Sequence, residues 1–139
     1  MVQMIIGNKG KGKTVELLSK VNSEVQNATG NVVFLDKNGR HMYELNNKVR
    51  LIDVSTYPIK GPEEFFGFIC GIVSQDHDLE LLYLDSFLPI TGCEPDNIEV
   101  LVKKIDALGT ANNITITISC SVTEDMLSDE LKKKVILSL

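Results

Sequence analysis

Gly7-Asn8-Lys9-Gly10-Lys11-Gly12-Lys13-Thr14 fits the pattern G-x-x-x-x-G-K-[ST] at every position. Glycines let the backbone turn so that successive N–H groups point into one concavity. A helix starting right after the loop would aim its positive end at the same place. Lys13 then brings a point charge to the β- and γ-phosphates of a bound ligand, and Thr14 offers a hydroxyl to Mg²⁺. The expected ligand is a nucleoside triphosphate, ATP with Mg²⁺. Its contacts run over Gly7, Asn8, Lys9, Gly10, Lys11, Gly12, Lys13 and Thr14. Lys9 and Lys11 lie outside the required pattern and either strengthen anion binding or face solvent.

A triphosphate site also needs an acid that positions Mg²⁺ through its water shell. Two aspartates follow apolar runs of strand character. Asp85 follows Leu81-Leu82-Tyr83-Leu84, and Asp36 follows Val32-Val33-Phe34-Leu35. Asp85 is the favoured ligand because it comes after the intervening strands and helices. An aspartate at a strand end can also simply cap the next turn, and for Asp36 that reading is preferred.

Positioning these groups requires a sheet. Val2–Ile6 reads as a buried strand ended by Gly7. Lys13–Gln26 has Leu17, Leu18, Val21 and Val25 at helical spacing. Asn31–Asp36 and Arg50–Val54 are strand candidates, with a short helix between them over Arg40–Asn47 that turns Met42 and Leu45 inward. Pro62-Glu63-Glu64 opens a helix. Its body, Phe65 to Val73, is apolar on most sides, so Gly67 and Gly71 imply close packing against a strand. Glu80–Asp85 is a fourth strand. Pro95–Leu108 is an amphipathic helix stopped by Gly109, and Asn113–Cys120 is a fifth strand. Ser128–Ile136 reads as a last helix with Ser128 as its N-cap. Strand and helix in alternation predict an α/β fold, a mostly parallel five-stranded sheet flanked by helices, over one domain spanning residues 1–139. In such sheets the ligand site lies at the carboxyl ends of the strands.

Composition narrows the function classes. The net charge is −5, and Arg40 and Arg50 are the only arginines. That balance disfavours a nucleic-acid surface. Lys132, Lys133 and Lys134 suit the end of a helix. Cys70, Cys93 and Cys120, with His41 and His77, show no metal-ligand spacing. Buried or half-buried thiols are expected. The apolar runs are too short to span a bilayer, and the first residues do not form a secretory signal. The expected setting is the cytoplasm, with no membrane association.

The order of these parts resembles the ATP-binding core of the RecA-like P-loop ATPases, from about Val2 to Ser121. MIIGNKGKGKTVELL is similar to that family's phosphate loop and first helix, and NVVFLDKNGRHMYEL to its second strand. LLYLDSFLPITG resembles its Walker B segment, and NITITISCS the strand whose end senses nucleotide. The chain is also reminiscent of small bacterial P-loop proteins, some labelled PilT-like or twitching-motility ATPases, although PilT proper is much longer.

The resemblance implies a water-orienting glutamate shortly after the second strand, where this chain has Asn38. Related ATPases carry a glutamate directly after the Walker B aspartate, where this chain has Ser86. Neither residue can act as a general base. Glu44 and Glu80 fit neither pattern. Hydrolysis is therefore expected to be slow unless Asp36 substitutes or a partner supplies a group. Ser119 and Ser121 either contact a γ-phosphate or are plain strand-end serines. In RecA the segments after the Walker B strand and after the next strand bind DNA. Here SFLPITGCEPDN and SVTEDMLSDE contain no lysine or arginine.

Three functions follow. The first is a nucleotide switch or slow ATPase read by a protein partner or by a second copy of itself, with Arg40 or Arg50 as an arginine finger. The second is a small-molecule kinase, disfavoured by the scarcity of arginines and the lack of a lid insertion. The third is an interaction module without turnover, disfavoured by the intact Lys13-Thr14 pair.

Overall fold

A computed structural model describes residues 1–139. The sheet has six strands, not five, and every neighbouring pair is parallel. In chain order they are β1 (Val2–Ile6), β2 (Asn31–Asp36), β3 (Val49–Asp53), β4 (Leu79–Leu84), β5 (Thr115–Cys120) and β6 (Val135–Ser138). Across the sheet the order is β3-β2-β4-β5-β1-β6. The helices are α1 (Lys13–Glu24), α2 (Gly61–Ser74), α3 (Phe87–Thr91), α4 (Ile98–Ala111) and α5 (Asp129–Lys132).

The route of the chain assigns each helix its face. Parallel strands joined through a helix cross over right-handedly. The step from β1 to β2 runs one way along the sheet. The steps from β3 to β4, β4 to β5 and β5 to β6 run the other way. The first crossover therefore lies on one face and the later ones on the opposite face. The core divides accordingly. Leu17, Leu18, Val21 and Val25 from α1 and the residue that follows it pack with Ile5, Val32, Phe34, Val49 and Tyr83. On the other face a larger cluster joins Phe65, Ile69 and Val73 of α2 to Leu101, Val102 and Ile105 of α4 and to Leu131 of α5. Central strands are thus apolar on both sides, as Val32-Val33-Phe34-Leu35 requires.

Several expected elements differ. The helix predicted over Ser128–Ile136 is only α5, and Val135–Ser138 pairs with β1 as the sixth strand. Ser128 does cap α5, its hydroxyl accepting the Leu131 N–H at 3.3 Å. Pairing then takes over, because the Met4 N–H donates to the Lys134 carbonyl at 2.8 Å. Arg40–Asn47 forms only a 3₁₀ turn over Met42–Glu44, with Met42 exposed and Leu45 packed inward. Gly109 does not stop α4 but lies inside it, where an added Cβ would come 2.9 Å from the Ile114 carbonyl oxygen. Gly67 and Gly71 are exposed, with no atom within 4 Å of an added Cβ, so no close strand contact explains them. No helix is long and apolar enough to cross a membrane.

Candidate functional site

β1 ends at Ile6, and the chain turns into α1 through Gly7–Gly12. Gly10 and Gly12 have φ of 85° and 94°, conformations that side chains with a Cβ rarely adopt. An added Cβ at either would meet no atom within 4 Å. The backbone angle, and not crowding from the protein, is what calls for glycine there. Gly12 caps α1 without any side-chain hydrogen bond, so first-turn N–H groups of the helix face the loop. Lys13 folds back over this loop. Its Nζ donates to the Asn8 carbonyl at 3.0 Å, and the residue is 8 % exposed. Burial pulls the Lys13 ammonium below its ordinary pKa, opposed by Cys120 and Asp85. The Cys120 thiol is itself pushed up to about 12 by burial and by Cys93, against the pull of Lys13. Cys93 and Cys120 are buried and Cys70 is half-buried, as expected of the thiols.

The acid that faces the loop is Asp85. Thr14 Oγ1 donates to its two carboxylate oxygens at 3.1 and 3.0 Å, across 71 positions of sequence. Ser119 Oγ donates to Asp85 Oδ1 at 2.6 Å and accepts the Ser86 N–H at 2.8 Å. Asp85 is 1 % exposed. Ser86 holds φ 57° and ψ 58°, a left-handed conformation in a residue other than glycine, and its bond to Ser119 anchors it there. Such strain persists where the surroundings over-determine it. It turns the chain into α3, where Phe87 is buried in the core while Leu88 and Pro89 line the cavity beside the loop.

Asp36 lies beside Asp85. The Asp85 N–H donates to the Leu35 carbonyl at 2.9 Å, one position beyond the Leu35–Leu84 pair. Residues in register on parallel strands point to the same face, so both carboxylates share the α1 side. Asp36 Oδ1 accepts the Lys37 N–H at 2.7 Å, while Oδ2 is buried with no partner. Burial and the Asp85 charge raise the Asp36 pKa, against the N–H groups of Lys37 and Asn38 and the nearby His41.

These groups surround a cavity of about 390 Å³ lined by Lys9, Gly10, Gly12, Lys13, Thr14, Lys37, Ser86, Leu88, Pro89, Ser119 and Ser121. Its size suits a small ligand. Leu88 is the one hydrophobic residue by type among its lining, and with three lysines and the loop N–H groups at one end the arrangement offers donors suited to an anion.

The structure thus brings together Lys9, Gly10, Gly12, Lys13, Thr14, Ser86, Ser119 and Ser121 at one cavity, with Asp85 hydrogen-bonded behind Thr14. Lys11 is exposed and lies outside the lining, as do Gly7 and Asn8. Asn38 is also outside it, its side-chain oxygen accepting the Arg40 N–H at 2.9 Å in a local turn. Glu44 pairs with His41 at 2.6 Å. Glu80 binds Thr29 and Gly30 at the opposite end of the sheet. Arg40 and Arg50 are exposed and make no contact with the cavity. Sequence reasoning passed over Lys37, Leu88 and Pro89. For Lys37 the signal was present, since it directly follows the acid that ends a strand. Leu88 and Pro89 belong to α3, a helix too short to announce itself by periodicity.

No family model matches the chain, and no curated protein matches it.

Proposed function

We propose that this chain binds a nucleoside triphosphate with Mg²⁺, ATP being the leading candidate, and that it acts as a nucleotide switch or a slow, partner-dependent ATPase with a RecA-like core. One observation carries the reading: the Thr14 hydroxyl meets the Asp85 carboxylate beside Lys13, at the mouth of a glycine loop that opens a helix. Lys13 and the backbone of Asn8–Lys13 hold the phosphates. Lys13 is poised for this, since its present partner is a single carbonyl that an anionic oxygen displaces readily.

Magnesium fits the donor set. The Thr14 hydroxyl and the Asp85 carboxylate are hard oxygen donors, and Asp36 next to them keeps one buried oxygen without a partner. Thr14 and Asp85 would hold the ion, directly or through water. Bound there, it would supply charge neutralisation to the phosphates. Ser119 orients Asp85 by its 2.6 Å bond.

Slow turnover follows from what surrounds the cavity. Asn38 is engaged in its turn, and Ser86 offers a hydroxyl but no base. Asp36 is the remaining candidate for a catalytic carboxylate, but it is 1 % exposed and outside the lining. A partner or a second copy of the chain that completes the site would supply the missing group.

Isothermal titration of the wild type and Lys13→Ala with Mg·ATP and Mg·GTP tests this. Micromolar binding of one nucleotide by the wild type, lost in the variant, is the expected result. Absence of binding in both proteins sinks the reading.

A further inference from the structure

Twelve lysines divide by how their charge is met. Lys20, Lys103, Lys132 and Lys134 each lie within 4.0 Å of a carboxylate. The other eight form no such pair, and three of them, Lys9, Lys13 and Lys37, line the cavity at the carboxyl ends of the strands. In a chain of net charge −5, three lysines gathered at one cavity present cationic groups there, with the Asp85 carboxylate behind Thr14. A polyanion entering the cavity meets all three.

The three do not approach from one side. Lys9 and Lys13 belong to the loop after β1, whereas Lys37 follows β2. β1 and β2 are separated by β5 and β4, or roughly 14 Å at ordinary strand spacing. Between these walls lie Thr14, Ser119 and Asp85. A phosphate chain gripped at the loop and neutralised over Thr14 and Asp85 thus extends its outermost group toward β2. The base of Lys37 is fixed there by the bond from its N–H to Asp36 Oδ1. The rest of the side chain is exposed and free to swing.

We propose that Lys37 clamps the terminal phosphate and makes the site selective for nucleoside triphosphates over diphosphates. This rests on the nucleotide reading above and extends it: the loop holds the phosphates common to both ligands, and Lys37 reads the one that distinguishes them. Buried Asp36 serves as the post for this lysine. The consequence for a switch is direct. Loss of the terminal phosphate releases Lys37 and the turn that follows it, whose backbone is tied to Asn38 and, through His41, to Glu44.

The test is titration with the Mg²⁺ complexes of non-hydrolysable ATP and GTP analogues and of ADP and GDP. Wild type, Lys37→Ala, Lys37→Arg and Lys13→Ala are compared. Lys37→Ala is expected to weaken triphosphate binding about tenfold and leave diphosphate binding within about twofold, the scale of one charge-assisted contact. Lys37→Arg retains most of the preference, and Lys13→Ala weakens both ligand classes. Thermal melts of Lys37→Ala should match the wild type, because the side chain is exposed. If Lys37→Ala weakens neither class, or both equally, the clamp is wrong while the loss in Lys13→Ala keeps the nucleotide reading intact. If the wild type binds no nucleotide, both readings fall together.

Discussion

The two ends of the sheet handle polar groups in opposite ways. At the amino ends, donors and carboxylates are matched within the chain. Asp106 accepts the Val2 N–H at 2.8 Å and pairs with Lys134 at 2.9 Å, tying β1, α4 and the approach to β6. Glu80 accepts from the Thr29 and Gly30 N–H groups and the Thr29 hydroxyl. At the carboxyl ends, Asp36 leaves an oxygen unpartnered, Ser86 is held left-handed, and three lysines line a cavity without ion pairs. One end has its charges paired within the chain, and the other keeps charged and strained groups around a cavity.

Lys13→Ala tests that contrast most severely. We expect at least about a hundredfold loss of nucleotide affinity, roughly 3 kcal/mol, with no loss of thermal stability, because a buried ammonium bonded to one carbonyl contributes little to the fold. A matching drop in melting temperature would mean that Lys13 belongs to the architecture and not to a ligand site.

Gly30→Ala probes the paired end. An added Cβ would lie 2.3 Å from the Asp78 carbonyl oxygen, so a backbone must move. A loss of about 2–3 kcal/mol is expected in urea unfolding. Gly10→Ala, with nothing within 4 Å, meets only its backbone angle and should cost about 1 kcal/mol. Equal losses would erase the distinction between a crowded end and an open one.

Asp106 and Asp36 should show opposite pH signatures. Burial raises Asp106, but the Lys134 bond and the Val2 N–H outweigh it and hold its pKa below the ordinary value of 3.8. Its contribution is present above that value and is lost as pH falls through the depressed one. Asp106→Ala should therefore cost about 1–2 kcal/mol at pH 7 and less in acid. Asp36 is raised by burial and by Asp85, so its contribution is present below the ordinary value and lost as pH rises through the raised one. Asp36→Asn should stabilise the nucleotide-free chain by about 1 kcal/mol at pH 7, with the gain fading in acid. Urea midpoints across pH would reveal the signs, and like signs for the two would break the comparison.

Much of the fold was legible in short stretches. β1, β2, β4 and β5 are runs of β-branched and leucine residues bounded by turn residues, and α1 and α4 carry clean helical periods. Asp85 was identified by its place after an apolar run, and the structure puts it against Thr14. What local patterns misjudged depends on distant partners. Lysine-rich residues after Ser128 favour a helix, but β1 offers an unpaired edge that Val135–Ser138 fills as a strand. Gly109 resembles a helix stop, yet its need is space for the Ile114 carbonyl.

By itself, the sequence determined the loop, its following helix and the acids at strand ends, because each rests on spacing within a few residues and on backbone preferences that act locally. Tertiary structure alone decided that β5 lies between β1 and β4, that Thr14 meets Asp85 and Ser119, and that Lys37 faces Lys13 across one cavity. Those relations join residues tens of positions apart. They emerge only when crossover handedness and the burial of both sheet faces select one order of strands.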